Sequence, residues 1–276
     1  MQVPRQNALG LVSPNKTSSK SDALNVALGE YDTGWHDPAL SLKRAGDLAG
    51  DASKAGADLL VLPEMCITGF TMEAASFAEP EDGESIKALG KIAADNRLWI
   101  IGGASIRKAD GRYVNSALVF SPDGELVTSY EKQRLFGYAG ETDVYSAGES
   151  HCVVEIGGMS LGVFICFDLR FPELFREVGR DVDAFVLIAN WPNARQRHWE
   201  VLTQARAIEN QAYMIAVNRI GEGGGLAYEG GSVVFDPWGE RADHPAANGP
   251  VRIAEITRSG VERARKAFPL PAGVAR

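Results

Sequence analysis

Cys166, Glu64 and Lys132 are the residues whose types and settings offer chemistry. Cys166 closes the apolar run Leu161-Gly162-Val163-Phe164-Ile165 and is followed by Phe167-Asp168-Leu169-Arg170-Phe171-Pro172-Glu173. Pro172 suits the first turn of a helix, where its fixed φ is already helical and no N–H is needed. The spacing predicts a strand-to-helix elbow that lifts the sulfur out of a sheet, beside backbone N–H groups and a helix N-terminus that favour the thiolate. From these residues alone, a strand cysteine packed as a small hydrophobe reads equally well. Glu64 follows Leu59-Leu60-Val61-Leu62-Pro63, and at the carboxyl end of a buried parallel strand it would point into a cleft above the sheet. Taken singly it reads as a solvated glutamate, as Lys132 in Tyr130-Glu131-Lys132-Gln133-Arg134-Leu135-Phe136 reads as a surface lysine. Together the three supply a base, a cation and a nucleophile at three strand ends, which is what acyl transfer at an amide requires. Glu64 would take the thiol proton and Cys166 attack the carbonyl. Lys132 and the backbone N–H of Phe167 would hold the oxyanion, and water would then hydrolyse the thioester.

Competing motifs are sparse. His36, His151, His198 and His244 form no i, i+4 pair and the three cysteines no C-x-x-C, so neither a metal nor a cofactor is expected. A protease-like pair of Cys166 with His198 stays open, as does Cys66 as the alternative thiol; Cys152 reads as structural. Gly221-Glu222-Gly223-Gly224-Gly225 lacks the Lys-Ser/Thr of a phosphate loop and reads as an active-site loop or a plain turn.

The elements that must position these residues follow from periodicity. Leu24–Glu30 reads as a strand, and a helix opens at Pro38 and ends at Gly56. The run after Asp58 is a buried strand; a second helix over Ile86–Ala93 leads into a strand at Leu98–Ile106, and Ser121-Pro122-Asp123-Gly124 reads as a hairpin turn. Strands are expected near 152–156, 159–165, 183–189, 212–218 and 230–235, with helices near 172–180 and 195–210. Many strands with few helices point to two sheets packed face to face with helices outside.

The chain of 276 residues carries 28 Lys and Arg against 36 Asp and Glu, a formal charge of −8. That balance gives no footprint for nucleic acid or an anionic membrane and favours a small-molecule substrate. No apolar run approaches the roughly 20 residues of a membrane span, and three scattered cysteines suit a reducing, cytoplasmic setting. Residues 1–22 read as a flexible leader and 23–276 as a single domain.

The motifs Leu-Pro-Glu64-Met, Glu-Lys132-Gln-Arg-Leu-Phe and Cys166-Phe-Asp-Leu-Arg-Phe-Pro-Glu, in this order, resemble those of the nitrilase superfamily of carbon–nitrogen hydrolases. The resemblance implies a four-layer αββα sandwich, a homodimer paired through helices, and Glu64, Lys132 and Cys166 as the catalytic triad. It also implies Glu141 as a second glutamate that orients the lysine or assists the base. Trp191 and the segment Glu229-Gly230-Gly231-Ser232 would line the substrate cleft. With Asn190-Trp191-Pro192 and Ala205-Arg206-Ala207-Ile208-Glu209-Asn210-Gln211, the chain looks most like bacterial omega-amidases, which hydrolyse the terminal amide of 2-oxoglutaramate or 2-oxosuccinamate. An amidase of the same superfamily acting on deaminated glutathione or an N-carbamoyl amine is the alternative, and a non-catalytic binding protein of the same fold is a third reading. Phe167 stands where tyrosine is commoner, and Gln133-Arg134 replaces the usual Arg-His or Lys-His, a change at the cleft rim. Arg170, if it faces the cleft, could grip a substrate carboxylate in a bidentate pair; otherwise it would pair with Asp168 or Glu173.

Overall fold

A computed structural model describes residues 22–247 and 249–270, so the expected leader lies outside the described residues except for Asp22. In chain order the first half runs β1 (Ala23–Leu28), α1 (Pro38–Lys54), β2 (Leu59–Val61), α2 (Ala74–Phe77), α3 (Glu84–Asn96), β3 (Trp99–Arg107), β4 (Tyr113–Phe120), β5 (Leu126–Glu131) and α4 (Glu141–Val144). The second runs β6 (Cys152–Ile156), β7 (Met159–Ile165), α5 (Pro172–Val178), β8 (Ala184–Ala189), α6 (Gln196–Asn210), β9 (Tyr213–Asn218), β10 (Ile220–Gly223), β11 (Leu226–Glu229), β12 (Val233–Phe235), β13 (His244–Pro245), β14 (Arg252–Thr257) and α7 (Arg258–Ala267). Helix starts follow the local chemistry: the Asp37 side chain accepts from Leu40 N at 3.0 Å just before Pro38, and Thr257 caps α7 by accepting from Gly260 N at 3.1 Å.

The strands of the first half, joined by β13 and β14 from the end of the chain, form a sheet of order β13-β14-β1-β2-β3-β4-β5, and β6 to β9 with β12 form a sheet of order β12-β9-β8-β7-β6. Strands β1, β2 and β3 are parallel, as are β7, β8 and β9. Alternation of side chains sorts the first sheet into two faces. Leu24, Val26, Leu28, Leu59, Val61, Ile101, Ala117 and Val119 pack into one core with the second sheet. Ala27, Leu60, Leu62, Ile100, Leu118 and Phe120 turn the other way, onto Ala45, Ala49 and Ala52 of α1 and Ile86, Leu89 and Ala93 of α3. Strands β8 and β9 are buried along their whole length, as strands covered on both faces must be. Leu174 and Phe175 of α5 and Trp199 and Ala207 of α6 belong to the same core. The layers are therefore α, β, β, α, in agreement with the expected sandwich.

Two departures from the sequence reading are informative. The glycine-rich stretch expected as a loop or turn is partly strand: Gly221, Glu222 and Gly223 lie on β10, with Gly223 paired to Leu226, and only Gly224-Gly225 form the hairpin turn. Strand β14 and helix α7 have no counterpart among the expected elements: β14 pairs antiparallel with β1, so its burial depends on a partner more than 200 residues away in sequence. No helix among the described residues is long and apolar enough to cross a membrane.

Candidate active site

Three strand ends converge above the two sheets. After β2 the chain turns at Pro63, Glu64 and Met65, the last with φ of +40°. This turn is pressed onto β3, where a Cβ on Gly103 would lie 2.4 Å from Met65 N and 2.6 Å from Glu64 Cα. Glycine at 103 is therefore a condition of the approach. Gly103 N donates to Pro63 O at 3.0 Å and Cys66 N to Gly103 O at 2.8 Å, which fixes the turn. Lys132 follows directly on β5 and donates its backbone N–H to Asn115 O at 2.9 Å. Cys166 leaves β7 with φ of +46°, in the left-handed region that β-carbon residues seldom occupy, and enters a short 3-10 turn running into α5.

Asp168 holds this elbow. Its carboxylate accepts from Ile165 N at 3.0 Å, Arg134 N at 2.8 Å and the Tyr130 hydroxyl at 2.8 Å, tying the cysteine turn to the chain that carries Lys132. Burial pushes the Asp168 carboxyl up to about 6 despite these donors.

Glu64, Lys132 and Glu141 meet with no exposed surface. Lys132 Nζ donates to Glu64 Oε1 at 2.8 Å and to both oxygens of Glu141 at 3.0 and 2.9 Å. Asn115 Nδ2 bridges the two carboxylates, 2.7 Å from Glu64 and 2.8 Å from Glu141, while Phe136 N donates to Glu141 Oε2 at 2.6 Å. Asn190, just past β8, donates its N–H to Glu64 Oε2 at 2.9 Å and its amide to the Glu64 carbonyl. Burial opposes the Lys132 ammonium, but Glu64 and Glu141 more than offset it and hold the lysine protonated, well above the usual lysine range.

The thiolate expected for Cys166 is corrected by this environment. Burial raises the thiol well above the usual cysteine range, and the negative charge of Glu64 adds to it more than Lys132 subtracts. The resting group is a thiol, with Asn190 O at 3.9 Å from its sulfur.

Cys166 opens on a small, partly open cleft. Phe167, Arg170 and Trp191 line it, and so do Phe70, Phe136, Arg195, Leu226 and Tyr228, which the sequence reading did not single out. The segment Glu229–Ser232 does not line it. Its work is structural: Ser232 N donates to Glu30 at 2.7 Å, and Gly230 O accepts from Asn218 at 2.8 Å. Asn218 also brackets Trp191, accepting from its N–H at 2.7 Å and donating to its carbonyl at 2.9 Å. Arg170 makes neither of the ion pairs foreseen as alternatives. Asp168 is engaged as above, Glu173 lies 4.0 Å from Arg134, and Arg170 instead donates to His198 Nδ1 at 2.9 Å.

The other candidates separate from the cluster. His198 is exposed and bound to Arg170, so no Cys166–His198 pair forms. Cys66 is packed among the outer-layer apolar residues, and burial pushes its thiol up to about 12. Cys152 starts β6, with its thiol pushed up to about 11 by burial. Asn115 carried the one signal that was available for a missed residue, an amide inside the apolar strand Tyr-Val-Asn-Ser-Ala-Leu-Val-Phe. Among the described residues no group of three or more His, Cys, Asp or Glu side chains could hold a metal ion.

Comparison with known proteins places this geometry. The carbon-nitrogen hydrolase family model matches residues 25–266. The chain is 40% identical over 248 residues to omega-amidase YafV of Yersinia enterocolitica, covering 89% of this chain and 94% of that protein. It is 31% identical over 244 residues to 2-oxoglutaramate amidase of Bacillus subtilis, covering 87% and 93%. A CN-hydrolase superfamily protein of Xanthomonas campestris, solved with an arsenic adduct in its active site, superposes with a TM-score of 0.84 at 33% identity over 92% of this chain and 99% of that one. The buried Glu–Lys–Cys constellation thus sits in a chain whose sequence and fold agree on one assignment: it belongs to the carbon-nitrogen hydrolase family and is a hydrolase acting on amides.

Proposed function

We propose that the protein is an omega-amidase, hydrolysing the terminal amide of a small 2-oxo-acid amide such as 2-oxoglutaramate or 2-oxosuccinamate. The observation that carries the chemistry is a buried Cys166 thiol, under the charges of the Glu64–Lys132–Glu141 cluster, at the floor of a small cleft. A thiol of this kind needs a base at the moment of attack, and Glu64 is the carboxylate whose charge acts on it most strongly. As Cys166 Sγ bonds to the amide carbon, its proton passes to Glu64, and the carbonyl oxygen becomes an oxyanion held by Lys132 and the Phe167 N–H. Collapse of this adduct breaks the carbon–nitrogen bond; Glu64 returns the proton to nitrogen and ammonia leaves. Water then gives its proton to Glu64 and attacks the thioester, releasing the carboxylic acid and the Cys166 thiol. Glu141, bound through both oxygens to Lys132, keeps the ammonium aimed and charged. The substrate class is supported by the activities named for the two amidase relatives, and by Arg170 and Trp191 facing the cleft.

Ammonia release from 2-oxoglutaramate, 2-oxosuccinamate, deaminated glutathione and an N-carbamoyl amine, with Cys166→Ala as control, tests the reading. Preference for the two oxo-acid amides is expected; preference for either of the others replaces the substrate, and full activity in Cys166→Ala removes the mechanism. We also propose that the protein pairs through its helical layer. Val201 and Ile208 of α6 and Trp238 are exposed, and a Cβ on Gly239 would touch Ile208, so these side chains form one apolar patch. Light scattering should give a dimer that Ile208→Glu weakens; a wild-type monomer at micromolar concentration rejects it.

A further inference from the structure

Two of the groups lining the cleft are guanidiniums, and neither has a carboxylate partner among the described residues. Arg170 lies over the Trp191 ring at 5.0 Å and the Phe167 ring at 6.0 Å, and Arg195 over the Phe136 ring at 5.1 Å. Their neighbours behave differently: Arg134 pairs with Glu173, Arg176 with Glu209 and Arg197 with Glu200. A guanidinium stacked on a ring keeps its N–H edges free in its own plane, the geometry in which it grips a carboxylate. The two cations also act on one another: burial and then the charge of Arg195 hold the Arg170 guanidinium below its usual range. An anion between them relieves that repulsion, whereas a neutral group does not.

One side chain sets the spacing of the two. The face of Trp191 carries Arg170, and its indole N–H donates to the Arg195 carbonyl at 2.9 Å, while Asn218 fixes the Trp191 backbone from both sides. Arg170 is further held by His198 Nδ1 at 2.9 Å. A guanidinium only donates, so Nδ1 must accept, which requires the imidazole with its proton on Nε2.

We propose that Arg170 and Arg195 form a two-armed clamp for a carboxylate at the end of the substrate remote from the scissile amide, with His198 as a positioning residue for Arg170. The proposal rests on the amidase reading above and deepens it: Arg195 becomes a specificity residue, and the cleft selects amides with an anionic far end. In a chain of formal charge −8 such a local pair of cations is what makes an anionic substrate acceptable.

The test compares 2-oxoglutaramate with butyramide, which offers the same scissile group without a carboxylate. Arg195→Met should raise KM for 2-oxoglutaramate roughly 10- to 100-fold, the range of one lost charge-assisted hydrogen-bonded contact, and leave kcat within about twofold. Its kcat/KM for butyramide should fall far less than that for 2-oxoglutaramate, and Arg170→Met/Arg195→Met should erase the preference between the two amides. Equal losses on both amides, or none on either, overturn the clamp. For His198, Ala should raise KM for 2-oxoglutaramate alone, and Asn, whose carbonyl oxygen can stand in for Nδ1, should restore it; equal KM values in the Ala variant and wild type reject the positioning role. If the wild type releases no ammonia from any oxo-acid amide, the substrate reading fails by itself. Calorimetry with 2-oxoglutarate then decides the clamp: binding by the wild type that Arg195→Met abolishes upholds it, and absence of wild-type binding overturns it.

Discussion

At the floor of the cleft the charged atoms of Glu64, Lys132 and Glu141 are all hydrogen-bonded and none meets solvent. At the mouth Arg170 and Arg195 are half-buried, Leu226 is exposed, and the arginines rest chiefly on ring faces. Buried charges are stabilised only when their partners are complete, because a half-made network leaves a desolvated charge with nothing to offset it. The floor is thus held by bonds from five separate segments and has one arrangement. The mouth is bound by stacking and by solvent-tolerant contacts, so a change there alters what enters without unfolding what reacts.

The sharpest way to break this contrast is at the nucleophile. Cys166→Ala should reduce ammonia release by at least about 10⁴-fold, as loss of a covalent nucleophile does elsewhere. Because the substitution removes a small group and relieves no ion pair, thermal stability should stay close to wild type; a large fall would mean that Cys166 serves packing. Next in size is Lys132→Met, which leaves Glu64 and Glu141 facing each other without a cation. Loss of one partner from a buried pair costs about 3–5 kcal/mol, readable as a lower urea midpoint together with lost activity. Adding Glu141→Gln to Lys132→Met should recover part of that stability but none of the activity. Strict additivity of the two in a double-mutant cycle would show that the residues do not act as one unit.

The thiol offers a third test through pH. A cysteine whose pKa is raised stays neutral through the physiological range, and its thiolate fraction grows about tenfold per pH unit below that pKa. Alkylation of Cys166 by iodoacetamide should therefore climb steadily from pH 7 to 9 without a plateau. In Lys132→Met it should be slower still, since the ammonium is the group that lowers the thiol. A plateau below pH 8 would restore the thiolate.

These same two regions differ in how far the sequence disclosed them. Glu64, Lys132 and Cys166 each follow a strand; the apolar runs that end at Leu62 and Ile165 make two of these ends legible, while Lys132 follows the mixed strand Leu-Val-Thr-Ser-Tyr-Glu. The two sheets and the helices α1, α3, α5 and α6 were legible for the same reason: each is an apolar pattern complete in itself. Asn115 was less so, since an amide in mid-strand announces a partner without naming it, and its partners are 51 and 26 residues away. An elbow on its own favours the Cys166 anion, whereas burial, joined by the charge of Glu64 arriving from the other sheet, raises the thiol. Strand β14 and the cleft residues Leu226 and Tyr228 were illegible: the first is defined by pairing with β1, and the others by a hairpin whose glycines mask its strands.

That hairpin gives the smallest expected effect. Leu226 lies at the mouth, exposed, at the end of the glycine-rich tip, while Tyr228 is buried beneath the Arg219 guanidinium at 4.7 Å. Arg219 is itself held by Asp32 at 2.8 Å and by the carbonyls of Thr33 and Glu222, so the inner part of the hairpin is anchored. Leu226→Ala should accordingly change stability by no more than about 0.5 kcal/mol, as exposed substitutions do. It should leave kcat alone and shift KM in the same direction for 2-oxoglutaramate and butyramide, since an apolar rim touches the substrate's chain and not its charge. A loss of kcat in this variant would place the hairpin tip in the chemistry of the floor, and the division between a fixed floor and an adjustable mouth would fail at the point where it is weakest.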